Sequence, residues 1–145
     1  MLAQRFGFED VPALTPRYNI CPSQPVTAVL PDPAANALAL RILRWGLIPP
    51  WNRDPAAGAQ MFNARSETVA DKPAFRDAFS SRRCLIPVDG FFEWRKQHGR
   101  KQPYFFCRPD RRIIALAGLW ERWEYAGNQL IESCSILTTD RKSVV

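Results

Sequence analysis

Short β-branched and apolar runs, separated by proline-rich or polar turn sequences, make up most of this chain. They predict strands at VTAVL (26–30), ALALRILRWGLIP (37–49), MFNAR (61–65), QPYFFCRP (102–109), 112–119 and IESCSILTTD (131–140), and two strands separated by a bend in CLIPVDGFFEWRKQ (84–97). The segment 70–83 predicts a helix, because Phe75 and Phe79 lie four residues apart and a proline stands near its start. Residues 2–8 read as the last turns of another helix. These elements predict one α+β domain with a curled, mostly antiparallel, barrel-like sheet and few helices.

Two turns follow from the same pattern. The segment 91–108 is expected to form a hairpin that turns at HGRK, where His98 is a solvated turn residue, and AGNQ (126–129) is expected to form another turn. The chain has 145 residues, which suits a single domain. No run approaches the roughly 18 apolar residues of a membrane span, and residues 1–10 do not resemble a signal peptide. We therefore expect a cytoplasmic protein with no membrane association.

The basic charge balance favours a polyanionic partner. The net charge is +6, and five tryptophans accompany the arginines. Arginine forks bind phosphate and indole rings stack on bases, although a solvated basic surface around a tryptophan-rich core explains the same composition. Four scattered cysteines and one histidine do not match a zinc site. We expect buried thiols and no metal or other cofactor.

Glu93 is the polar residue that the pattern singles out most clearly. It lies in GFFEWRK among aromatic residues, where partial burial would raise the pKa of its carboxyl and suit general acid/base chemistry. The alternative is strand alternation, in which Phe92 and Trp94 face a core and Glu93 faces water. The loop residues Arg17, Tyr18 and Asn19 also lie where partial burial is expected.

Asn63 and Arg65 form a second candidate pair. They lie where the pattern predicts burial or partial burial, and because they are two residues apart they would share one face of a strand. An amide and a guanidinium on that face suit a sugar and a phosphate. Arg65 and Glu67 would equally form a surface ion pair that contributes little. Trp51 follows two prolines, so its ring would either stack on an unpaired base or cap the core.

The order of several segments resembles one protein family. The segments PRYNICPSQPV, RWGLIPPW, FNARSETV, RRCLIPVDGFFEW, KQPYFF, AGLWE and SCSILTTD are similar to the SRAP family, the SOS-response-associated peptidase-like proteins. The resemblance covers roughly residues 2–140, and NARSET followed by DGFFEW is its most specific part.

This resemblance implies recognition of abasic sites in single-stranded DNA and at single/double-strand junctions, with shielding by a covalent DNA–protein crosslink. The amine and thiol of an N-terminal cysteine would close a thiazolidine on the opened sugar. The resemblance assigns catalytic roles to Asn63, which would hold the sugar, and to Glu93, which would transfer protons. It assigns DNA binding to Arg65 at a phosphate, Trp51 at the junction and Asn19 in support.

The chain departs from the family pattern at both ends. Family members begin Met-Cys-Gly-Arg, whereas Leu2 stands second here, and RKSVV ends the chain where the family continues to a catalytic histidine. We therefore expect a partial SRAP domain over 1–145 that lacks both segments and is deficient in crosslinking. Cys21 has no free α-amine, so it would form at most a reversible thiohemiacetal, and a buried thiol is the simpler expectation.

Three hypotheses follow from these departures. The first is a monomeric SRAP protein of abasic-site processing, with peptidase- or lyase-like activity implied at the family level and nucleoid association when it is bound to DNA. The second is a non-catalytic module that binds single-stranded DNA. The third is that the native protein is longer.

Overall fold

A computed structural model describes residues 2–9, 11–125 and 129–139. The described residues form eight strands, two α-helices and one 3₁₀ helix. In chain order these are α1 (Leu2–Phe6), β1 (Pro25–Asp32), β2 (Ala37–Trp45), the 3₁₀ helix (Pro55–Gln60), β3 (Asn63–Arg65), α2 (Pro73–Ser81), β4 (Arg83–Val88), β5 (Gly90–Gln97), β6 (Arg100–Cys107), β7 (Ile114–Tyr125) and β8 (Gln129–Thr138). The turn predicted at AGNQ falls mainly on residues 126–128, which lie outside the described residues.

Five strands close into a mixed barrel. They follow the order β2-β1-β4-β7-β8, and each of these neighbouring pairs is antiparallel. The barrel closes where β2 and β8 run parallel, with Arg44 opposite Ser133 and Trp45 opposite Cys134. The predicted α+β fold with a curled, mostly antiparallel sheet is therefore confirmed.

Strand β3 extends the seam between β2 and β8. It runs parallel to β8, and its register pairs Asn63 with Ile136 and Arg65 with Thr138. Because β7 occupies the other edge of β8, β2 and β3 share one edge of that strand, one after the other. Among the described strands, β3 is therefore a three-residue edge strand beside the closed barrel.

Two apolar clusters stabilise this arrangement. Alternate residues of β1, β2, β4 and β8 form the first cluster, which contains Val26, Ala28, Leu30, Leu43, Cys84, Ile86 and Cys134. The second cluster joins α2 and β3 to the neighbouring sheet through Leu47, Ala64, Val69, Phe75, Ala78 and Leu119. Full burial of each large aliphatic or aromatic side chain contributes about 1.5–3 kcal/mol.

The helix around Phe75 and Phe79 is confirmed, although it is shorter than predicted. It begins at Pro73 and ends at Ser81, and Phe75 is buried in the second cluster while Phe79 packs against it. Residues 66–71 form a turn instead of the first helical residues, and proline at the first helical position fits the observed start.

The β5–β6 hairpin is also confirmed, but its surroundings differ from the prediction. It forms a separate two-stranded sheet with its register running from Gly90 opposite Cys107 to Gln97 opposite Arg100. Phe92 and Trp94 are 48% and 56% exposed, so the expectation that they face a core is wrong. Large aromatic residues are exposed on both faces of the hairpin because neither face is covered by another layer of described residues.

Candidate nucleic-acid interface

Strand β3 presents Asn63 and Arg65 on one exposed face. The intervening Ala64 points the other way and is buried in the cluster under α2. Asn63 and Arg65 are both exposed, which confirms that they share a face and shows that the expected partial burial is wrong. They are exposed because no layer of described residues packs on this face, which is opposite to the side that Ala64 packs against α2. The two side chains are available to a ligand from solvent.

Three hydrogen bonds fix the backbone of β3. The Trp45 Nε1–H and the Ile136 N–H both donate to the carbonyl oxygen of Phe62, at 2.8 and 2.9 Å. Beyond the strand, the Ser66 N–H donates to the Thr138 carbonyl at 2.8 Å. The rings of Trp45 and Phe62 meet edge to face with centroids 6.1 Å apart. Asn63 therefore begins at a point that both β2 and β8 hold in place.

The charge of Arg65 is not neutralised by a described carboxylate. Ion pairs among the described residues involve other arginines. Within the described residues, the ion pair between Arg65 and Glu67, which was the alternative to phosphate binding, is therefore not formed. A planar guanidinium without a carboxylate partner can receive a phosphate in a bidentate manner. Arg65 therefore has the chemistry of an anion-binding residue.

Trp51 stands on a loop with several anchors. The Trp123 Nε1–H donates to the Asn52 carbonyl at 2.7 Å, and the Ile48 N–H donates to the buried Ser133 hydroxyl at 2.9 Å. The indole of Trp51 is 58% exposed. The ring therefore faces solvent rather than capping the core, which favours the stacking alternative.

Close backbone packing holds the base of this loop. A Cβ atom on Gly46 would lie 2.4 Å from the Gly58 carbonyl oxygen, and one on Gly58 would lie 2.5 Å from the Gly46 oxygen. Any larger residue at either position would separate the two segments. The predicted strand 37–49 ends earlier than expected, at Trp45, because Gly46 has a φ of 142° and departs from strand geometry.

The anchors of Trp51 and of β3 lie at different points along β8. Trp123, which holds the Trp51 loop, pairs with Ile131, whereas Asn63 pairs with Ile136. Five strand residues separate these partners, which corresponds to roughly 17 Å at about 3.3 Å per residue. No hydrogen bond or ring contact between described residues joins Trp51 to the β3 face.

Glu93 is exposed, so the expected partial burial of its carboxylate is wrong and the alternative in which Glu93 itself faces water is confirmed. It lies opposite Tyr104 on the hairpin. On the same face, the stacked rings of Phe91 and Phe106 lie on one side of Glu93 and polar side chains lie on the other. The aromatic neighbours are themselves exposed and therefore do not desolvate it. The described residues provide no hydrogen bond between Glu93 and β3, so its role stays a prediction.

The loop that carries Asn19 is ordered by its neighbours but lies on the surface. The Arg17 guanidinium donates to the Pro25 carbonyl and, at 2.8 Å, to the Gln24 Oε1. Asn19 is exposed and Tyr18 is 88% exposed. The expectation of partial burial for Arg17, Tyr18 and Asn19 is therefore wrong, and the loop offers polar groups to solvent.

The cysteines divide into two groups. Cys84 and Cys134 are buried, as expected, and burial raises the pKa of both thiols, to about 12 for Cys84. Cys21 is exposed in the loop before β1 and Cys107 is partly exposed. The expectation of a buried thiol is therefore wrong for Cys21.

The sequence did not indicate a cavity of about 370 Å³ beside β1 and β2. Its lining is mainly apolar and includes Leu14, Ile20, Val26, Ile42, Val88 and Ile113. Arg17 and Asp89 are the charged residues that line it. None of the predicted site residues lines this cavity. Its contributors are distant in sequence, so no local motif could have revealed it.

Across residues 2–9, 11–125 and 129–139, no cluster of three or more histidine, cysteine, aspartate or glutamate side chains is placed to hold a metal ion. Within the same ranges, no helix is both long and apolar enough to cross a membrane.

The described residues define a small α+β protein whose closed mixed barrel presents an asparagine and an arginine on one edge strand. The family model for SOS response associated peptidase (SRAP) matches residues 1–145. The chain therefore belongs to the SRAP family.

Curated relatives carry names that refer to DNA lesions. The chain is 42% identical over 126 residues to "Abasic site processing protein YoaM" of Bacillus subtilis, covering 86% of this chain and 55% of that protein. It is 30% identical over 153 residues to "Abasic site processing protein HMCES" of Xenopus tropicalis, covering 86% of this chain and 46% of that protein. The chain thus spans about half the length of these relatives.

Solved structures share the fold. A crystal structure of a Bordetella bronchiseptica protein superposes with a TM-score of 0.81 at 26% identity, covering 98% of this chain and 69% of the other. A Bacteroides thetaiotaomicron protein gives a TM-score of 0.71 at 31% identity, covering 81% of this chain and 51% of the other.

Proposed function

We propose that this chain recognises abasic sites in single-stranded DNA through the exposed face of β3. The observation that carries the proposal is the pair Asn63 and Arg65, exposed side by side on a strand whose position is fixed by β2 and β8. Family membership, the names of the relatives and the net charge of +6 support it.

Asn63 and Arg65 have complementary tasks in this proposal. The Asn63 amide both donates and accepts hydrogen bonds, which suits the hydroxyl and aldehyde groups of an opened sugar. The Arg65 guanidinium binds the phosphate beside the lesion. Recognition of the missing base would therefore depend on Asn63, whereas overall affinity would depend on Arg65.

Further residues extend the contact. Trp51 offers an exposed ring on which a neighbouring base stacks at a single/double-strand junction. Asn19 supports the DNA from its surface loop. Glu93 assists proton transfer during opening of the sugar ring, a role for which its solvent-exposed carboxylate is accessible. SOS-linked lesion shielding would follow from occupancy of this surface.

The complex of this 145-residue chain is expected to be non-covalent. The crosslink that the family resemblance implies needs an α-amine and a thiol on one residue, and the exposed Cys21 is an internal residue without a free α-amine. A denaturing gel after incubation with abasic DNA tests this part. A stable shifted band would contradict the non-covalent complex, and loss of that band in Cys21→Ala would identify the exposed thiol as its source.

Binding itself is measured by fluorescence anisotropy with two labelled single strands that differ only by one abasic site. Arg65→Gln should weaken binding to both strands by roughly 10- to 100-fold, because a hydrogen bond to a charged group contributes about 1.5–3 kcal/mol. Asn63→Ala should instead reduce the ratio of the two affinities. Equal affinity of the wild-type chain for both strands would support the alternative of a non-catalytic single-stranded-DNA-binding module.

Arg76→Gln provides the matched control. Arg76 is an exposed arginine on α2 whose only described partner is the adjacent Asp77, at 3.6 Å. The substitution removes one positive charge from α2 instead of from β3. If Arg76→Gln weakened binding as much as Arg65→Gln, the specific phosphate role of Arg65 would be wrong.

A further inference from the structure

The outer half of the β5–β6 hairpin carries an unneutralised positive charge. Arg95, Lys96, Arg100 and Lys101 are all exposed, and no acidic residue occurs from 94 to 107. None of these four cations forms an ion pair with a described residue. This end of the hairpin therefore presents four available positive charges.

The strand register places two of these charges against each other. Lys96 lies directly opposite Lys101, and like charges at directly opposed positions destabilise an antiparallel pair. The hairpin turns at His98 and Gly99, which both have positive φ values, and the lysine pair is the second residue pair from this turn, next to Gln97 opposite Arg100. A bound anion between or beside them would relieve this repulsion.

Exposed rings continue the same face. Side chains two residues apart on a strand share a face, so Phe92 and Trp94 lie on the lysine face, with Phe105 and Pro103 opposite them. Phe92 and Phe105 contact each other with centroids 5.1 Å apart. Rings beside cations suit a polyanion with unpaired bases, which distinguishes single-stranded DNA from an acidic protein segment.

We infer that Lys96 and Lys101 bind the phosphate backbone of single-stranded DNA flanking the lesion. The inference rests on the proposed function, and it adds a contact beyond β3 and Glu93. Lys96 lies three strand residues from Glu93, or roughly 10 Å at about 3.3 Å per residue. That distance corresponds to about three nucleotides at roughly 3.4 Å per stacked nucleotide.

A double variant, Lys96→Gln/Lys101→Gln, tests the inference by the salt dependence of affinity for the abasic single strand. Each lost phosphate contact should reduce the slope of log K against log[salt] by about 0.7. The double variant should therefore lose about 1.4 in slope and bind roughly 25-fold more weakly near 0.1 M salt. An unchanged slope would overturn the inference.

The chain offers a control with equal change of charge. Arg108 and Arg112 are exposed, but both form ion pairs with Asp110. Arg108 donates two hydrogen bonds to this carboxylate, from Nε at 2.9 Å and from a terminal nitrogen at 2.7 Å. Arg108→Gln/Arg112→Gln also lowers the net charge from +6 to +4, by subtraction of two. It should change the slope by less than half as much, and an equal change would show that only total charge matters.

Two further readouts separate the possible failures. If the wild type prefers the abasic strand but the lysine variant keeps its slope, the inference fails and the proposed function stands. If the wild type binds both strands equally, the proposed function fails. The hairpin contact would still be supported if the salt slope fell in the lysine variant but not in the arginine control variant. A slope change seen with duplex DNA alone would overturn the choice of a single strand. An unchanged or higher unfolding midpoint excludes misfolding as the cause.

Discussion

Gly118→Ala tests how tightly the barrel is packed. Gly118 lies on β7 opposite Cys84 of β4 and Ile136 of β8. A Cβ atom at this position would lie 2.9 Å from the Cys84 Sγ and 3.1 Å from both the Ile86 Cδ1 and the Ser135 carbonyl oxygen. These distances are shorter than favourable contacts of about 3.5–4.0 Å.

Two opposing effects decide the sign of the change. Alanine is more favourable than glycine in a strand by roughly 0.5–1 kcal/mol, whereas overpacking of a filled core costs about 1–3 kcal/mol. At Gly118 one of the close atoms is a backbone oxygen of a paired strand, which cannot move alone. We therefore expect the free energy of unfolding to fall by about 1–2 kcal/mol.

A second substitution identifies the contact responsible. Cys84→Ala removes the Sγ atom that lies closest to the added methyl group and should cost about 1 kcal/mol by itself. Since the two changes compensate, the double variant should be more stable than the sum of the single effects by about 0.5–2 kcal/mol. Urea unfolding of the wild type, both single variants and the double variant measures this coupling.

Two outcomes would contradict this reasoning. If Gly118→Ala were more stable than the wild type, the strand preference would exceed the steric cost and the barrel would be looser than described. If the two effects were simply additive, the Cys84 sulfur would not be the limiting contact.

Two other predictions concern pH and the Trp51 loop. Burial raises the pKa of the Cys84 thiol from about 9 to about 12, and it also raises the pKa of Cys134. The contribution of these thiols to the free energy of unfolding is therefore fully present below pH 9 and is lost as the pH rises towards 12. The loss is up to about 1.4 kcal/mol for each thiol and each pH unit. Urea unfolding at pH 8 and 10 should show this loss. In Cys84→Ala the unfolding free energy should fall with pH about half as steeply as in the wild type. Trp123→Phe removes the donor to the Asn52 carbonyl and should lower the free energy of unfolding by about 1–3 kcal/mol. Limited proteolysis should then cut residues 46–60 faster, and an unchanged cleavage rate would exclude Trp123 as the anchor.

Local patterns predicted the elements of this fold because their causes are local. The spacing of Phe75 and Phe79 identified α2, and the apolar alternation of 26–30 identified β1. The parallel contact between β2 and β8 has no such signal, because Arg44 and Ser133 are 89 positions apart, the difference of their numbers. Closure of the barrel follows from the curled sheet but its seam does not.

Exposure was the weakest part of the site prediction. Strand alternation states which residues share a face, and it correctly placed Asn63 with Arg65. It does not state whether another layer covers that face, so it predicted burial at Phe92 and Trp94, where the hairpin is uncovered. The hydrogen bond between Trp123 and Asn52 could not be predicted either, because the two residues are 71 positions apart in the sequence.

The structure links barrel closure to the position of the candidate site. The Phe62 carbonyl, one residue before Asn63, accepts hydrogen bonds from Trp45 of β2 and Ile136 of β8. These are the two strands that run parallel at the seam. Separation of β2 from β8 would therefore remove the hydrogen bond from Trp45 to Phe62, whereas the pairing of β3 with β8 would remain. The hairpin lacks such support, since it pairs only with itself among the described strands. Arg65 is thus held by the barrel core, whereas Lys96 and Lys101 stand on a separate two-stranded sheet outside the barrel.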